Sequence, residues 1–213
     1  SSTSRGLGDV YKRQVLYIYT VIKVRVIMQY AELHCVSNFT FLRGASHPQE
    51  LIHTASTLGY QALAITDECS LAGVVKAHVA ARECGLSLII GSEFIIDEQK
   101  LVALVTNRQS YSELSGLITL ARRRSNKGEY RLEWSDLSNN LPNALLIWLP
   151  SGKADADNAI GYQLSNWFND RLWVGVEHLL DGDETNQYYY RRNLAALWEV
   201  PMVACGDVHM HVK

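Results

Sequence analysis

The sequence predicts an irregular α/β barrel, with about seven strands alternating with five or six helices. Three observations carry that prediction. Short apolar runs alternate with longer stretches of helical periodicity, the βαβα rhythm that favours parallel strands joined by right-handed crossovers. Polar residues stand at the C-terminal ends of the apolar runs, where barrels and open α/β sheets collect their chemistry. No G-x-G-x-x-G opens a helix and no G-x-x-x-x-G-K-[ST] occurs, which weakens a dinucleotide-binding sheet and excludes a P-loop.

The first strand runs from Tyr30 to His34 and delivers a histidine at its tip. Ser46, Pro48 and Gln49 form an S-x-x-Q capping box with proline in the first turn, so a helix is expected from Pro48 to Leu58, stopped by Gly59. Ala62 to Thr66 (ALAIT) reads as a buried strand ending at Asp67 and Glu68. Ser70 is expected to cap a helix reaching Cys84 and closed by Gly85, after which Ser87 to Ile90 (SLII) leads into Gly91, Ser92 and Glu93. Leu101 to Thr106 (LVALVT) is the next strand. Ser110 is then expected to cap a helix with apolar spacing at Leu114, Leu117, Ile118 and Ala121.

That helix ends in Arg122, Arg123 and Arg124, with Lys127 close behind. The plainer reading is cations complementing a helix C-terminus; the sharper one is a phosphate-binding patch. Strands follow at Ala144 to Leu149 (ALLIWL) and Leu172 to Glu177 (LWVGVE), helices at Ala154 to Phe168 and Glu184 to Trp198. A last strand, Met202 to Cys205, ends in Gly206-Asp207-Val208-His209-Met210-His211. Trp148, Trp167, Trp173 and Trp198 fall on apolar faces and are expected in packing. The run Tyr188 to Tyr190 is a candidate for a surface covered by another domain.

With 213 residues and 47% hydrophobic content, the chain can bury an ordinary core and is expected to be one domain, or most of one. The formal charge of −2 advertises neither nucleic acid nor membrane, so any DNA contact must be local. Cys35, Cys69, Cys84 and Cys205 form no C-x-x-C pair, which suits reduced thiols in a cytoplasmic protein. Residues 1–28 stand apart. A polar stretch is followed by 14 residues broken by Lys23 and Arg25, too short and too charged to cross a membrane, with no small-residue cleavage site. They read as a non-native leader, with Met28 as the native start and the domain at 29–213.

His34, Asp67 with Glu68, Glu93, Glu177, Asp207, His209 and His211 thus converge on strand ends. Carboxylates and imidazoles at one barrel mouth suit zinc, manganese or iron. Singly, each has a plainer account, such as a satisfied core histidine or an ion-pair partner. Their joint placement carries the signal.

In order and spacing, ELHCVSNFTFLRGASHPQEL, GYQALAITDECSLAGVVKAH, IIGSEF and GDVHMH resemble the N-terminal PHP (polymerase and histidinol phosphatase) domain of bacterial DNA polymerase III alpha subunits. The resemblance is strongest to the error-prone, DnaE-type subunits of the damage-inducible mutagenesis cassette, and it runs from Tyr30 to the C-terminus. It implies a PHP-type distorted (β/α)7 barrel, TIM-like and incomplete at its C-terminal end. It also implies a parent chain that performs DNA-directed DNA synthesis across lesions, using Mg²⁺ held by palm aspartates that this sequence lacks. No polymerase catalytic residue is therefore expected here. The implied partners are the remaining polymerase domains, DNA, the sliding clamp and the cassette proteins, with no membrane.

Carried onto this chain, the family's ligand pattern is half present. Its opening H-x-H becomes His34-Cys35-Val36, and valine offers a metal no lone pair. The ligand before the glycine becomes Arg43, which brings positive charge to a cation's place. T-D-H becomes Thr66-Asp67-Glu68, Lys100 falls on a middle-strand ligand, and no histidine occurs between His78 and His178. The retained set, His34, Asp67, Glu93, Asp207 and His209, suffices for at most one weakly bound zinc or manganese. Arg43 and Lys100 are expected to pair with Glu93, Glu68 or Asp207. The domain is then expected to be structural and inactive alone. The alternative is a metal-dependent phosphoesterase, histidinol-phosphatase-like or a 3′–5′ exonuclease.

Overall fold

The computed structural model describes residues 30–179 and 182–212. The leader expected at residues 1–28 lies outside them. One seven-stranded sheet carries its strands in chain order: β1 (Ala31–Glu32), β2 (Ala62–Ile65), β3 (Ser87–Ile96), β4 (Gln99–Leu104), β5 (Leu145–Leu149), β6 (Leu172–Val176) and β7 (Met202–Ala204). The helices are α1 (Pro48–Thr57), α2 (Val74–Cys84), α3 (Arg108–Arg123), α4 (Trp134–Asn140), α5 (Ala154–Phe168) and α6 (Glu184–Leu197).

The expectation of parallel strands throughout is corrected at β4, which runs antiparallel to both β3 and β5. The cause is a two-residue hairpin. Asp97 and Glu98 both take positive φ, 48° and 66°, the twist that lets a tight turn join two right-twisted strands. β3 therefore continues to Ile96 instead of stopping at Ile90, and Glu93 lies within it, paired with Val102. The other four neighbouring pairs are parallel.

The first helix starts at Pro48 as expected, but the caps of three helices differ from expectation. The residue before α1 is His47, whose N–H donates to Glu50 at 2.7 Å, while Ser46 Oγ accepts from the His211 N–H. Helix α2 begins only at Val74, and the Ser70 hydroxyl instead accepts from the Ala72 N–H. Asn107, not Ser110, caps α3. Its backbone is extended and its Oδ1 accepts the Ser110 N–H at 3.0 Å, the geometry a cap requires. Helix α4 is an addition to the expected set.

The sheet curls until its edges meet. Cys35 and Val208 form a parallel bridge, with Val36 N–H donating to Val208 O at 2.9 Å and Val208 N–H to His34 O at 3.0 Å. The buried Glu32 carboxylate reinforces this seam by accepting the Gly206 N–H at 2.8 Å and the His34 N–H at 2.9 Å. A Cβ on Gly206 would lie 2.4 Å from that carboxylate, so any larger residue there would have to push Glu32 out of the seam.

Inside the curl sit Ala64, Val102, Leu104, Ile147, Leu149 and Cys205. Outside it, Trp148, Phe94 and Phe168 pack under the later helices, and Leu51, Ile52, Leu63 and Ile65 under α1 and α2. Trp148 is buried as expected, whereas Trp167 is 37% exposed. All four cysteines are free thiols. Among the described residues, no helix is long and apolar enough to cross a membrane.

Candidate functional site at the barrel mouth

The mouth collects side chains from five strands and one loop. His34 follows β1, Glu93 comes from the part of β3 that extends past the end of β2, Glu177 follows β6 and Asp207 follows β7. Lys100 arrives because β4 is reversed. A parallel strand would place its first residues at the far end of the barrel, but the antiparallel one starts at the mouth. The alternation of inward side chains then aims Lys100 with Val102 and Leu104.

His34 is fully buried at the centre. Its Nε2 lies 2.7 Å from Glu93 Oε2 and 3.6 Å from Asp207 Oδ1, and its Nδ1 lies 3.3 Å from Glu177 Oε1. Arg43, from the loop between β1 and α1, lies over this group. Its guanidinium grips Glu93 through both terminal nitrogens, donates to Glu68 Oε2 at 2.9 Å and stands 4.0 Å from Asp207 Oδ1. Lys100 Nζ is 2.9 Å from Asp207 Oδ2 and 4.0 Å from Glu93 Oε2. His209 Nε2 approaches Asp207 Oδ1 at 2.9 Å.

The charges are mutually reinforcing. Burial opposes ionisation of Glu93 and Asp207, yet cationic neighbours hold both near pKa 2: His34 and Arg43 for Glu93, His34 and Lys100 for Asp207. Burial likewise opposes the His34 imidazolium. Hydrogen bonds to Glu177 and Glu93 outweigh it and raise the pKa to about 9. Lys100 is also raised, because the charges of Glu93 and Asp207 overcome its burial.

His34, Glu93 and Asp207 can each turn one ligand atom to within 4.8 Å of the others, the minimum geometry for holding a divalent ion. Asp67 points elsewhere. Its carboxylate accepts from Ser37 N–H and Thr40 Oγ1, both at 2.7 Å, and from Ser37 Oγ at 2.8 Å, which fixes the loop carrying Arg43. Val36 is fully buried. Glu68 receives the Tyr130 hydroxyl at 2.9 Å.

Along the basic run, Arg122 donates to the carbonyls of Glu68, Cys69, Gly128 and Glu129 and stacks over Tyr130. Arg124 pairs with Asp136 at 2.5 Å. Arg123 and Lys127 remain exposed on the surface.

One contributor is only half legible in the sequence, and a second escapes it. Glu177 stands at a strand end but lies outside the ligand set expected above; it holds His34 Nδ1 and is backed by Arg191 at 3.6 Å. Tyr130 lies in an irregular stretch with no signal at all.

Against known proteins, the family model described as "PHP domain" matches residues 32–181. An error-prone DNA polymerase of Teredinibacter turnerae is 52% identical over 186 residues, and one of Saccharophagus degradans 49% over 187. These alignments cover 86% and 87% of this chain but 18% of either relative, so the chain spans less than a fifth of their length.

Among solved structures, a protein from Bifidobacterium adolescentis assigned as a metal-dependent phosphoesterase superposes with a TM-score of 0.60 at 18% identity, covering 87% of this chain and 90% of that one. An amidohydrolase from Chromobacterium violaceum, with bound sulfate and no metal, gives 0.62 at 14% identity, covering 84% and 87%. At such identities these two speak for the fold. Together with the match over residues 32–181, they leave one assignment: the chain belongs to the PHP domain family.

Proposed function

We propose that this chain is the PHP module of an error-prone DNA polymerase, and that its mouth is a metal-poor remnant with a structural task. The parent polypeptide copies damaged DNA with Mg²⁺ chemistry located outside this sequence, and the module braces it. Identity near 50% over most of the chain to relatives of that name supports the first half. The sliding clamp and the mutagenesis-cassette proteins belong to the same reading, as partners of the parent, and DNA is its substrate.

One observation carries the second half: fixed cations stand where metals would. Arg43 grips both oxygens of Glu93, Lys100 holds Asp207 Oδ2, and His34 has carboxylates on both ring nitrogens. A divalent ion entering here would have to displace a guanidinium or an ammonium from its carboxylates. Val36 offers nothing in exchange. The residues present therefore do not fit a resident metal cluster, and at most one weakly held zinc or manganese is expected. Metal analysis of the dialysed protein tests this: near-stoichiometric zinc, manganese or iron would defeat it.

A second reading, a metal-dependent phosphoesterase, draws on the His34, Glu93 and Asp207 cluster and on the shared fold. Hydrolysis of a simple phosphodiester with added Mn²⁺, lost on Asp207→Asn, would favour it.

A further inference from the structure

The loop that delivers Arg43 to the mouth also carries Asn38, Phe39, Thr40, Phe41 and Leu42, and its inner and outer sides contrast sharply. On the inner side, Thr40 is buried against Asp67, and Arg43 is locked to Glu93 and Glu68. The Asn38 N–H donates to Ser46 O at 2.8 Å, and Ala45 N–H to His209 O at 2.9 Å. On the outer side, Phe41 is 84% exposed and Leu42 89% exposed. Leu42 also adopts φ of 66°, a left-handed conformation that a branched side chain takes only under constraint. The chain thus holds two large apolar side chains in water on a rigid base and gains no burial from them.

The apolar surface continues beside the tip. Phe39 is 37% exposed and carries the Lys76 ammonium 5.4 Å above its ring, while Val75 and Val79 are exposed on successive turns of α2. Exposed apolar groups gathered like this mark an interaction surface more often than chance.

We infer that the Phe39–Leu42 loop is a docking element whose Phe41 and Leu42 tip seats in an apolar cleft on the part of the parent polymerase that this sequence does not span. This rests on the polymerase reading above. The curated relatives are over five times longer than the aligned stretch, so a covalently attached partner is at hand. Two other occupants fit less well. DNA would find little positive charge at the tip, because the Arg43 guanidinium is bound to carboxylates and a single exposed ammonium, Lys76, stands beside Phe39. A second copy of the chain would need roughly 20–30 residues a side for a stable dimer, far more than this tip supplies. A tethered partner needs less area, because its effective concentration is already high.

Hydroxyl-radical footprinting of the full-length polymerase and of this chain, read by mass spectrometry at Phe41 and Leu42, tests the inference. The expected result is modification about tenfold slower in the full-length enzyme, with a Phe41→Ser/Leu42→Ser double variant lowering Tm in the full-length enzyme and leaving that of this chain unchanged. Equal modification rates in the two proteins would overturn it. So would equal protection that disappears on dilution of this chain, which would indicate self-association. DNA synthesis by the unaltered full-length enzyme checks the underlying polymerase reading separately, so failure of one is distinguishable from failure of the other.

Discussion

Replacing Arg43 by methionine keeps most of the aliphatic stem and removes the guanidinium. The carboxylates left without it are Glu93, whose side chain is fully buried, and Glu68, which is 24% exposed. Glu68 keeps the Tyr130 hydroxyl at 2.9 Å and reaches water, so its share is that of a surface pair, about 0–1 kcal/mol. Glu93 keeps His34 at 2.7 Å and Lys100 at 4.0 Å, so the roughly 3–5 kcal/mol incurred when a buried ion is stripped of its partner is an upper bound. What remains is the removal of two charge-assisted hydrogen bonds to buried oxygens, giving a destabilisation of about 2–3 kcal/mol. For a chain of this size that corresponds to a fall in Tm of about 4–12 °C.

Urea denaturation of R43M, E93Q and the double variant closes a thermodynamic cycle, and a coupling above about 1 kcal/mol is expected for groups in direct contact. If R43M were as stable as the parent, or the two effects simply added, the cation would not be compensating the buried carboxylate, and the account of the mouth would be wrong.

Four further outcomes follow. His34 is raised from 6.5 to about 9, so its contribution is fully present below pH 6.5 and is lost as pH climbs through 9. That loss amounts to about 3 kcal/mol at most and should vanish in His34→Gln, as followed by unfolding free energy against pH. Glu93 and Asp207 behave oppositely: held near pKa 2, they stabilise above the ordinary carboxylate range and lose that contribution as pH falls toward 2, so an acid limb unchanged in E93Q would contradict it. R43M frees Glu93 oxygens beside His34 and Asp207, so millimolar Mn²⁺ should raise its Tm by several degrees and leave the parent unmoved; an equal response in both would mean that Arg43 is no obstacle to metal. Finally, charge reversal of the exposed Arg123 and Lys127 in the full-length polymerase should flatten the salt dependence of DNA binding, by about 0.9 in log–log slope for each phosphate contact removed. An unchanged slope would take the patch off the DNA.

The strands were legible because their apolar runs are short and punctuated by polar residues and turns, and a residue such as His34 at a run's end needs little else to be placed. The reversal of β4 was not. Its turn uses Asp97 and Glu98 where a glycine or asparagine would have announced a hairpin, and a strand's direction leaves no trace in its own composition. That one feature decides why Lys100 reaches Asp207. The exchange of ligand types at Val36, Arg43 and Lys100 could be read against a family pattern. The pairing of Arg43 and Lys100 with Glu93, Glu68 and Asp207 could be read as well, from charge alone; the Tyr130 hydroxyl on Glu68 and the Glu177 carboxylate on His34 could not, because tertiary closure alone brings them near. Helix caps slipped for a local reason: Ser46, Ser70 and Ser110 are all competent caps, and the residues that won or replaced them were selected by loop geometry.

The seam between the two sheet edges has a kinetic consequence. Glu32 and the Gly206 amide it receives are 174 residues apart in the chain, and the whole mouth is assembled across that join. Contacts between residues so distant form late, after the entropy of a very long loop has been overcome. During synthesis, His34 and Glu93 emerge long before Asp207 and must wait, without their full complement of charge, until the last strand arrives. The mouth is thus a report on completion: Glu93 can meet His34, Arg43 and Lys100 early, but Lys100 and the second face of His34 find Asp207 and Glu177 only when the last strands have been laid down.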